Sequence, residues 1–151
     1  MSSFIGQFKY TIDTKGRINI PAKFRKAISP EANETFVITR GMDDCIWAYP
    51  LDEWSKFEEK LRQLSTNQKD HRLYIRMATS YASESRLDKQ GRIAIPQYLI
   101  DLVKIEKEIL ITGSLDKLEI WNPNTYEEHM KEYEQSYEIL AEKIDKNRNL
   151  T

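Results

Sequence analysis

Two short strings in this chain carry an acid, a lysine, a glycine and an arginine in nearly the same order. The first reads DTKGRINIP over residues 13–21, and the second reads DKQGRIAIP over residues 88–96. Arginine offers a planar fork of five donors that fits phosphate oxygens or the O6 and N7 atoms of guanine, and lysine suits phosphate as a point charge. Lys15 and Arg17 in the first string, and Lys89 and Arg92 in the second, could therefore bind an anion or a base edge.

The same residues also allow a purely structural interpretation. Asp13 could pair with Arg17, and Asp88 with Arg92, simply to close a turn. Repetition does not separate the two interpretations, because a turn that the fold requires would be repeated as well. Both interpretations remain open at the level of sequence.

Each string has the composition of a tight turn between two short strands. Apolar residues alternate over residues 7–13, which predicts a half-buried strand. Gly16 can adopt a positive φ, and Asp13 can accept hydrogen bonds from the backbone amides ahead of it. A second strand is predicted over residues 17–20, and Pro21 then ends strand pairing and opens a short helix. The equivalent residues of the second string are Asp88, Gly91 and Pro96.

The repeat extends beyond the strings and divides the chain into two homologous halves. The predicted fold class is α+β with a mainly β core, built from two tandem βαββ repeats that are each followed by a helix. The predicted segments are a first module over 4–52 followed by a helix over 51–64, a connecting segment over 65–80, a second module over 81–124 and an acidic C-terminal helix over 125–147. Since half of the chain would be near the lower limit of independent folding, we expect the halves to share one core.

Composition narrows the class of protein. The chain has 151 residues and a formal net charge of −1, but residues 1–28 carry six basic residues against one acid, and residues 124–146 carry seven acids against three lysines. No run approaches the roughly 18 apolar residues of a membrane span, and the N-terminus lacks a signal-like segment. Because Cys45 is the only cysteine, we expect a cytoplasmic protein without a membrane partner.

No other group of residues has the composition and spacing of a metal-binding or catalytic site. His71 and His129 are isolated and lack metal-ligand spacing, so we expect no metal and no cofactor. Cys45 begins a predicted strand and is expected to be a core residue, not a nucleophile. The tryptophans and tyrosines fall on strand faces and at helix starts, which favours packing over base stacking. We therefore expect no catalytic site and no enzymatic activity.

The string D-x-x-G-R-I-x-I-P, followed by a short helix and two strands, resembles the AbrB-like (SpoVT-AbrB) swapped-hairpin family of DNA-binding modules. Two such modules in one chain, with the segments WAYPLDEW over 47–54 and LEIW over 118–121, resemble the MraZ family. The resemblance covers residues 4–137 and implies a double-psi or swapped-hairpin β-barrel. It also implies a nucleoid-associated transcriptional regulator of the division and cell-wall gene cluster, assembled into closed rings.

The resemblance further implies that the basic turns face double-stranded promoter DNA. A ring presents the same turns on each neighbouring subunit in the same orientation, which favours direct repeats about 10 base pairs apart over a palindrome. The residues expected to contact DNA are Lys15, Arg17, Arg25, Lys26, Arg86, Lys89 and Arg92.

The second half departs from the family pattern after its proline. Arg25 and Lys26 of the first half correspond to Ile100 and Asp101 of the second, so these two basic residues have no counterpart there. Arg86, which precedes the second string, could compensate for the missing arginine.

Two alternative functions remain. An AbrB-like antitoxin would bind DNA with one module and a toxin with an irregular tail, and the tandem repeat disfavours it. A structural ring protein would keep the fold without DNA binding, and the retention of lysine and arginine in both turns disfavours that reading.

Overall fold

The computed structural model describes residues 3–133 and 136–149. The elements of the first half are β1 Gln7–Thr11, β2 Arg17–Asn19, α1 Ala22–Ala27, β3 Thr35–Arg40, β4 Ile46–Pro50 and α2 Leu51–Arg62, with a 3-10 turn at Pro30–Ala32. The connecting helix is α3 Lys69–Ser80. The elements of the second half are β5 Ser83–Arg86, β6 Arg92–Ala94, α4 Gln97–Leu102, β7 Glu108–Ser114, β8 Lys117–Trp121, α5 Pro123–Glu132 and α6 Tyr137–Asn149.

The strands and helices predicted for the two halves occur in the predicted order, and the connecting segment contributes α3. The C-terminus differs from the prediction. The sequence predicts a single helix over 125–147, whereas the chain forms the two helices α5 and α6. Tyr133, at the end of α5, has φ −119° and ψ 16° and so leaves the helical conformation. Residues 134 and 135 of the predicted helix lie outside the described residues.

The two halves interleave their strands in one antiparallel sheet. Its order is β1-β7-β8-β4-β3-β5, so the first strand of each half pairs with the hairpin of the other half. At the centre, β4 of the first half pairs with β8 of the second. Among the described residues, the short strands β2 and β6 pair with each other and form a separate two-stranded ribbon.

The α+β class with a mainly antiparallel sheet is confirmed, but the closed barrel is not. Within the described residues the six-stranded sheet is open, with β1 and β5 as its two edges. The ribbon does not close it, because β2 and β6 are three residues long and each is followed within two residues by a proline that lacks a backbone donor.

Side chains from both halves build one hydrophobic core, as the size argument predicts. The buried members are Phe4, Ile18, Ile20, Phe24, Phe36, Ile38, Ile46 and Ala48 from the first half, and Ile93, Ile95, Leu99, Ile100, Val103, Ile105, Ile109, Ile111, Leu118 and Ile120 from the second. Ile18 and Ile93 face each other in the ribbon and are 0% and 1% exposed. The ribbon is therefore anchored to the core through its isoleucines, which holds the two turns in place.

The helices after each hairpin cover the outer face of the sheet. Trp54 of α2 packs with Val37 and Tyr49, and Tyr126 of α5 contacts Trp121. Helix α3 is tied to the sheet where the hydroxyl of Thr39 donates to the carbonyl of Ala78 at 2.7 Å. In the part of the chain that the structure describes, every helix is too short or too polar to cross a bilayer.

Candidate nucleic-acid interface

The first string forms a turn that its own aspartate closes. The Oδ1 atom of Asp13 accepts hydrogen bonds from the backbone amides of Lys15 and Arg17 at 2.9 and 2.8 Å. Its Oδ2 atom accepts from Nε of Arg17 at 2.7 Å. Gly16 has φ +77°, a left-handed conformation that glycine adopts without steric cost.

The second string repeats this geometry almost atom for atom. Asp88 accepts from the backbone amides of Gln90 and Arg92, both at 2.9 Å, and from Nε of Arg92 at 2.8 Å. Gly91 has φ +76°. The ion pair that closes the turn, one of the two interpretations of the sequence, is therefore present in both halves.

These bonds hold the turn carboxylates in their charged form. The backbone amide of Arg17 and then its side chain keep the pKa of Asp13 below its ordinary value of 3.8. The backbone amide and side chain of Arg92 do the same for the pKa of Asp88. Each carboxylate offsets the charge of its arginine, and the lysine of each turn supplies the remaining positive charge.

Closing the turn leaves part of each guanidinium available to a ligand. Nε of each guanidinium is bonded to the aspartate, while the side chains of Arg17 and Arg92 keep 35% and 21% of their surface exposed. An arginine held in this way has a defined direction, so less conformational entropy is lost when its other nitrogens bind a ligand. The structural and functional interpretations of the arginines are thus compatible.

The ribbon brings the two turns close together. In its register Arg17 faces Ala94 and Asn19 faces Arg92, so the turns lie at opposite ends of a short antiparallel pair. Nη1 of Arg92 reaches to 3.9 Å from the carboxylate of Asp13 in the other turn. The side chains of Asp13, Arg17, Asp88 and Arg92 therefore form one connected polar surface, and the exposed Lys15 and Lys89 lie in the same two turns.

The other basic residues that are predicted to contact DNA are exposed, and they lie at different distances from this surface. Arg25 and Lys26 lie in the last turn of α1, and the side chain of Arg25 contacts Gly91 in the second turn. Arg86 ends β5, and its guanidinium lies 3.8 Å from the carboxylate of Glu34. Arg25, Asp88 and Lys89 line one cleft together with Ser29, Asn33 and Glu34, three residues that the sequence did not single out.

The other residues considered in the sequence have structural surroundings. Cys45 is 1% exposed, and burial raises the pKa of its thiol, as expected for a core residue. Nδ1 of His71 accepts from the backbone amide of Ser65 at 3.0 Å, and His129 packs against Trp121. Trp54 and Trp121 are buried, which confirms packing over base stacking for these two rings.

The fold and the site together define a class: a tandem-repeat protein whose two interleaved β modules present paired, aspartate-closed basic turns. The sequence matches the family described as "MraZ protein, putative antitoxin-like" over residues 3–77 and again over residues 78–147. The chain belongs to the MraZ family.

Relatives in two organisms are similar over nearly the whole chain. The transcriptional regulator MraZ of Natranaerobius thermophilus is 43% identical over 141 residues, which are 93% of this chain and 96% of that protein. The transcriptional regulator MraZ of Caldanaerobacter subterraneus subsp. tengcongensis is 45% identical over 141 residues, again 93% of this chain and 96% of that protein.

Proposed function

We propose that this chain is a sequence-specific DNA-binding transcriptional regulator that acts on a promoter of the division and cell-wall gene cluster. The observation that carries the proposal is the pair of turns, in which Arg17 and Arg92 are held by their aspartates beside the exposed Lys15 and Lys89. Family membership supports the same role, because relatives at 43% and 45% identity are named transcriptional regulators. The activity proposed is binding, in the cytoplasm at the nucleoid, without catalysis.

In this proposal the lysines and arginines of the turns have different tasks. Lys15 and Lys89 neutralise backbone phosphates, which gives affinity without sequence information. Arg17 and Arg92 direct their remaining nitrogens to base edges in the major groove, where a bidentate contact to guanine discriminates by about 1–3 kcal/mol. Arg25, Lys26 and Arg86 extend the contact to the flanking backbone.

We further propose that the protein works as a closed ring on direct repeats. The C-terminal helices carry exposed apolar side chains that one subunit alone leaves in water, among them Tyr137, Leu140 and Ile144. A large exposed apolar surface marks an interaction site. A head-to-tail ring repeats the turns without reversing them, so tandem boxes about one helical turn apart fit it better than a palindrome.

A mobility-shift assay on the DNA upstream of the protein's own gene, at two salt concentrations, tests the proposal. Arg17→Ala and Arg92→Ala should each weaken specific binding by about 1–3 kcal/mol. Lys15→Ala should weaken binding to all sequences and lower the salt slope by about 0.9. Lys60→Ala, on the exposed side of α2, is the matched control that removes a lysine outside the turns.

Because Arg17 also closes its turn, a second control separates the two roles. Asp13→Asn weakens the closing ion pair and keeps the arginine, so its loss of specificity should be smaller than that of Arg17→Ala. If the arginine and lysine variants fold and bind like the unaltered protein, the turns are structural only and the proposal is wrong. Moving one box by about half a helical turn should abolish most cooperativity, and indifference to that insertion would exclude the ring-on-repeats arrangement.

A further inference from the structure

Each half places the start of its short helix on the turn of the other half. The backbone amide of Ile20, just before α1, donates to the carbonyl of Gly91 at 3.0 Å. In the equivalent position the amide of Ile95, just before α4, donates to the carbonyl of Gly16 at 2.7 Å. As a result, α1 of the first half lies against the second turn, and α4 of the second half lies against the first turn.

The two helices bring different side chains to these turns. The side chain of Arg25 lies against Gly91, so that a β-carbon at that glycine would be 2.9 Å from the Cζ atom of Arg25. The equivalent Ile100 lies beside Gly16, with its Cδ1 atom 3.4 Å from the corresponding β-carbon position. The basic residue that the sequence assigns to the first half therefore serves the second turn, and the first turn receives an apolar contact instead.

This exchange adds one positive charge to the second turn. In each string one aspartate stands against one lysine and one arginine, which leaves a net charge of +1. Arg25 raises the charge around Asp88, Lys89 and Arg92 to +2, whereas Ile100 adds nothing to the first turn.

A cleft of about 460 Å³ separates the second turn from the 3-10 turn, and its two acids are already partnered. Asp88 accepts from two backbone amides and from Nε of Arg92, and Glu34 lies 3.8 Å from Arg86. By contrast, neither Arg25 nor Lys89 has a carboxylate within 4.0 Å among the described residues. The uncompensated charge of the cleft is therefore positive.

We infer that Arg25 and Lys89 form a composite site, built from both halves, for one phosphate of the DNA backbone. The inference rests on the proposed function and deepens it, since it names two residues that hold one phosphate at the second turn. Arg25 supplies a fork for two phosphate oxygens, Lys89 supplies a point charge, and the partnered acids leave both free for the anion. Ile100 gives the first turn no counterpart of Arg25, so the two turns are expected to hold the DNA backbone differently.

A set of double variants of the full chain tests the site on promoter duplex DNA. Arg25→Gln keeps most of the side-chain length without the charge and should lower the salt slope by up to about 0.9, which corresponds to about eightfold weaker binding at 0.1 M salt. If Arg25 and Lys89 hold the same phosphate, Arg25→Gln with Lys89→Ala should weaken binding at least about threefold less than the product of the single effects. Arg25→Gln with Lys15→Ala should match that product within about twofold.

Each alternative outcome excludes the composite site, the proposed function or both. If Arg25→Gln binds normally while Lys15→Ala and Lys89→Ala weaken binding, the composite site is wrong and the proposed function stands. Coupling of Arg25 to Lys15 in place of Lys89 would also overturn the site. If all three single variants bind normally, both the site and the proposed function fail. Inorganic phosphate should compete with DNA better than chloride at equal ionic strength, and this advantage should be lost in Arg25→Gln; an advantage that persists unchanged in Arg25→Gln would place the phosphate elsewhere and overturn the site.

Discussion

Gly16 and Gly91 have the same backbone conformation, but the structure predicts unequal costs for replacing them by alanine. With φ of +77° and +76°, an alanine at either position pays about 1–2 kcal/mol for the left-handed conformation. At Gly16 the new β-carbon would lie 2.7 Å from the carbonyl oxygen of Ile95. The amide of the same residue donates to the carbonyl of Gly16, which holds Ile95 against the turn, so overpacking adds about 1–3 kcal/mol.

At Gly91 the three atoms nearest the new β-carbon all belong to the side chain of Arg25. Because that side chain is exposed and flexible, it can rotate into solvent at little cost in stability. We therefore expect Gly16→Ala to lower the free energy of unfolding by about 2–5 kcal/mol and Gly91→Ala by about 1–2 kcal/mol.

Urea unfolding at one fixed protein concentration measures the difference, with the slope of free energy against urea checked for constancy. Gly91→Ala should also displace Arg25 and weaken DNA binding, and it should weaken it no further in a chain that already carries Arg25→Gln. Equal destabilisation by the two alanines within about 0.5 kcal/mol, or the reverse order, would refute the reasoning from local packing.

Two further predictions concern stability. Ile100→Ala removes a side chain that is 6% exposed in the shared core, so it should destabilise by about 2–5 kcal/mol in urea unfolding, whereas Leu102→Ala, at an exposed position of the same helix, should cost far less. DNA affinity of the folded Ile100→Ala protein should be unchanged, and a loss would mean that the contact of Ile100 with Gly16 positions the first turn for DNA. The lowered pKa values of Asp13 and Asp88 add stability above the unfolded value near 3.9, which is lost as pH falls through the folded values. The Asp13→Asn, Asp88→Asn double variant should therefore lose less stability than the unaltered protein when pH falls from about 6 to about 3, and identical losses would contradict this.

Local chemistry allowed much of this protein to be predicted from its sequence. The aspartate, glycine and arginine that close each turn lie within five residues of one another, so their geometry depends little on the rest of the chain. Alternation of apolar residues and the prolines after each string located β1, β2 and α1 in the same way. The family resemblance, carried by these local motifs, is confirmed.

Tertiary structure decided how the two halves combine. Pairing of β1 with β7 and of β5 with β3 joins residues far apart in the chain, and the alternation of a strand does not specify which partner it meets. The same pairing leaves the six-stranded sheet open within the described residues. It also carries Arg25 across to Gly91, because the amide of Ile20 bonds the turn of the other half. Hydrogen bonds between neighbours in sequence form the two repeated turns. The difference between the turns arises from contacts that exist only once the halves have interlocked.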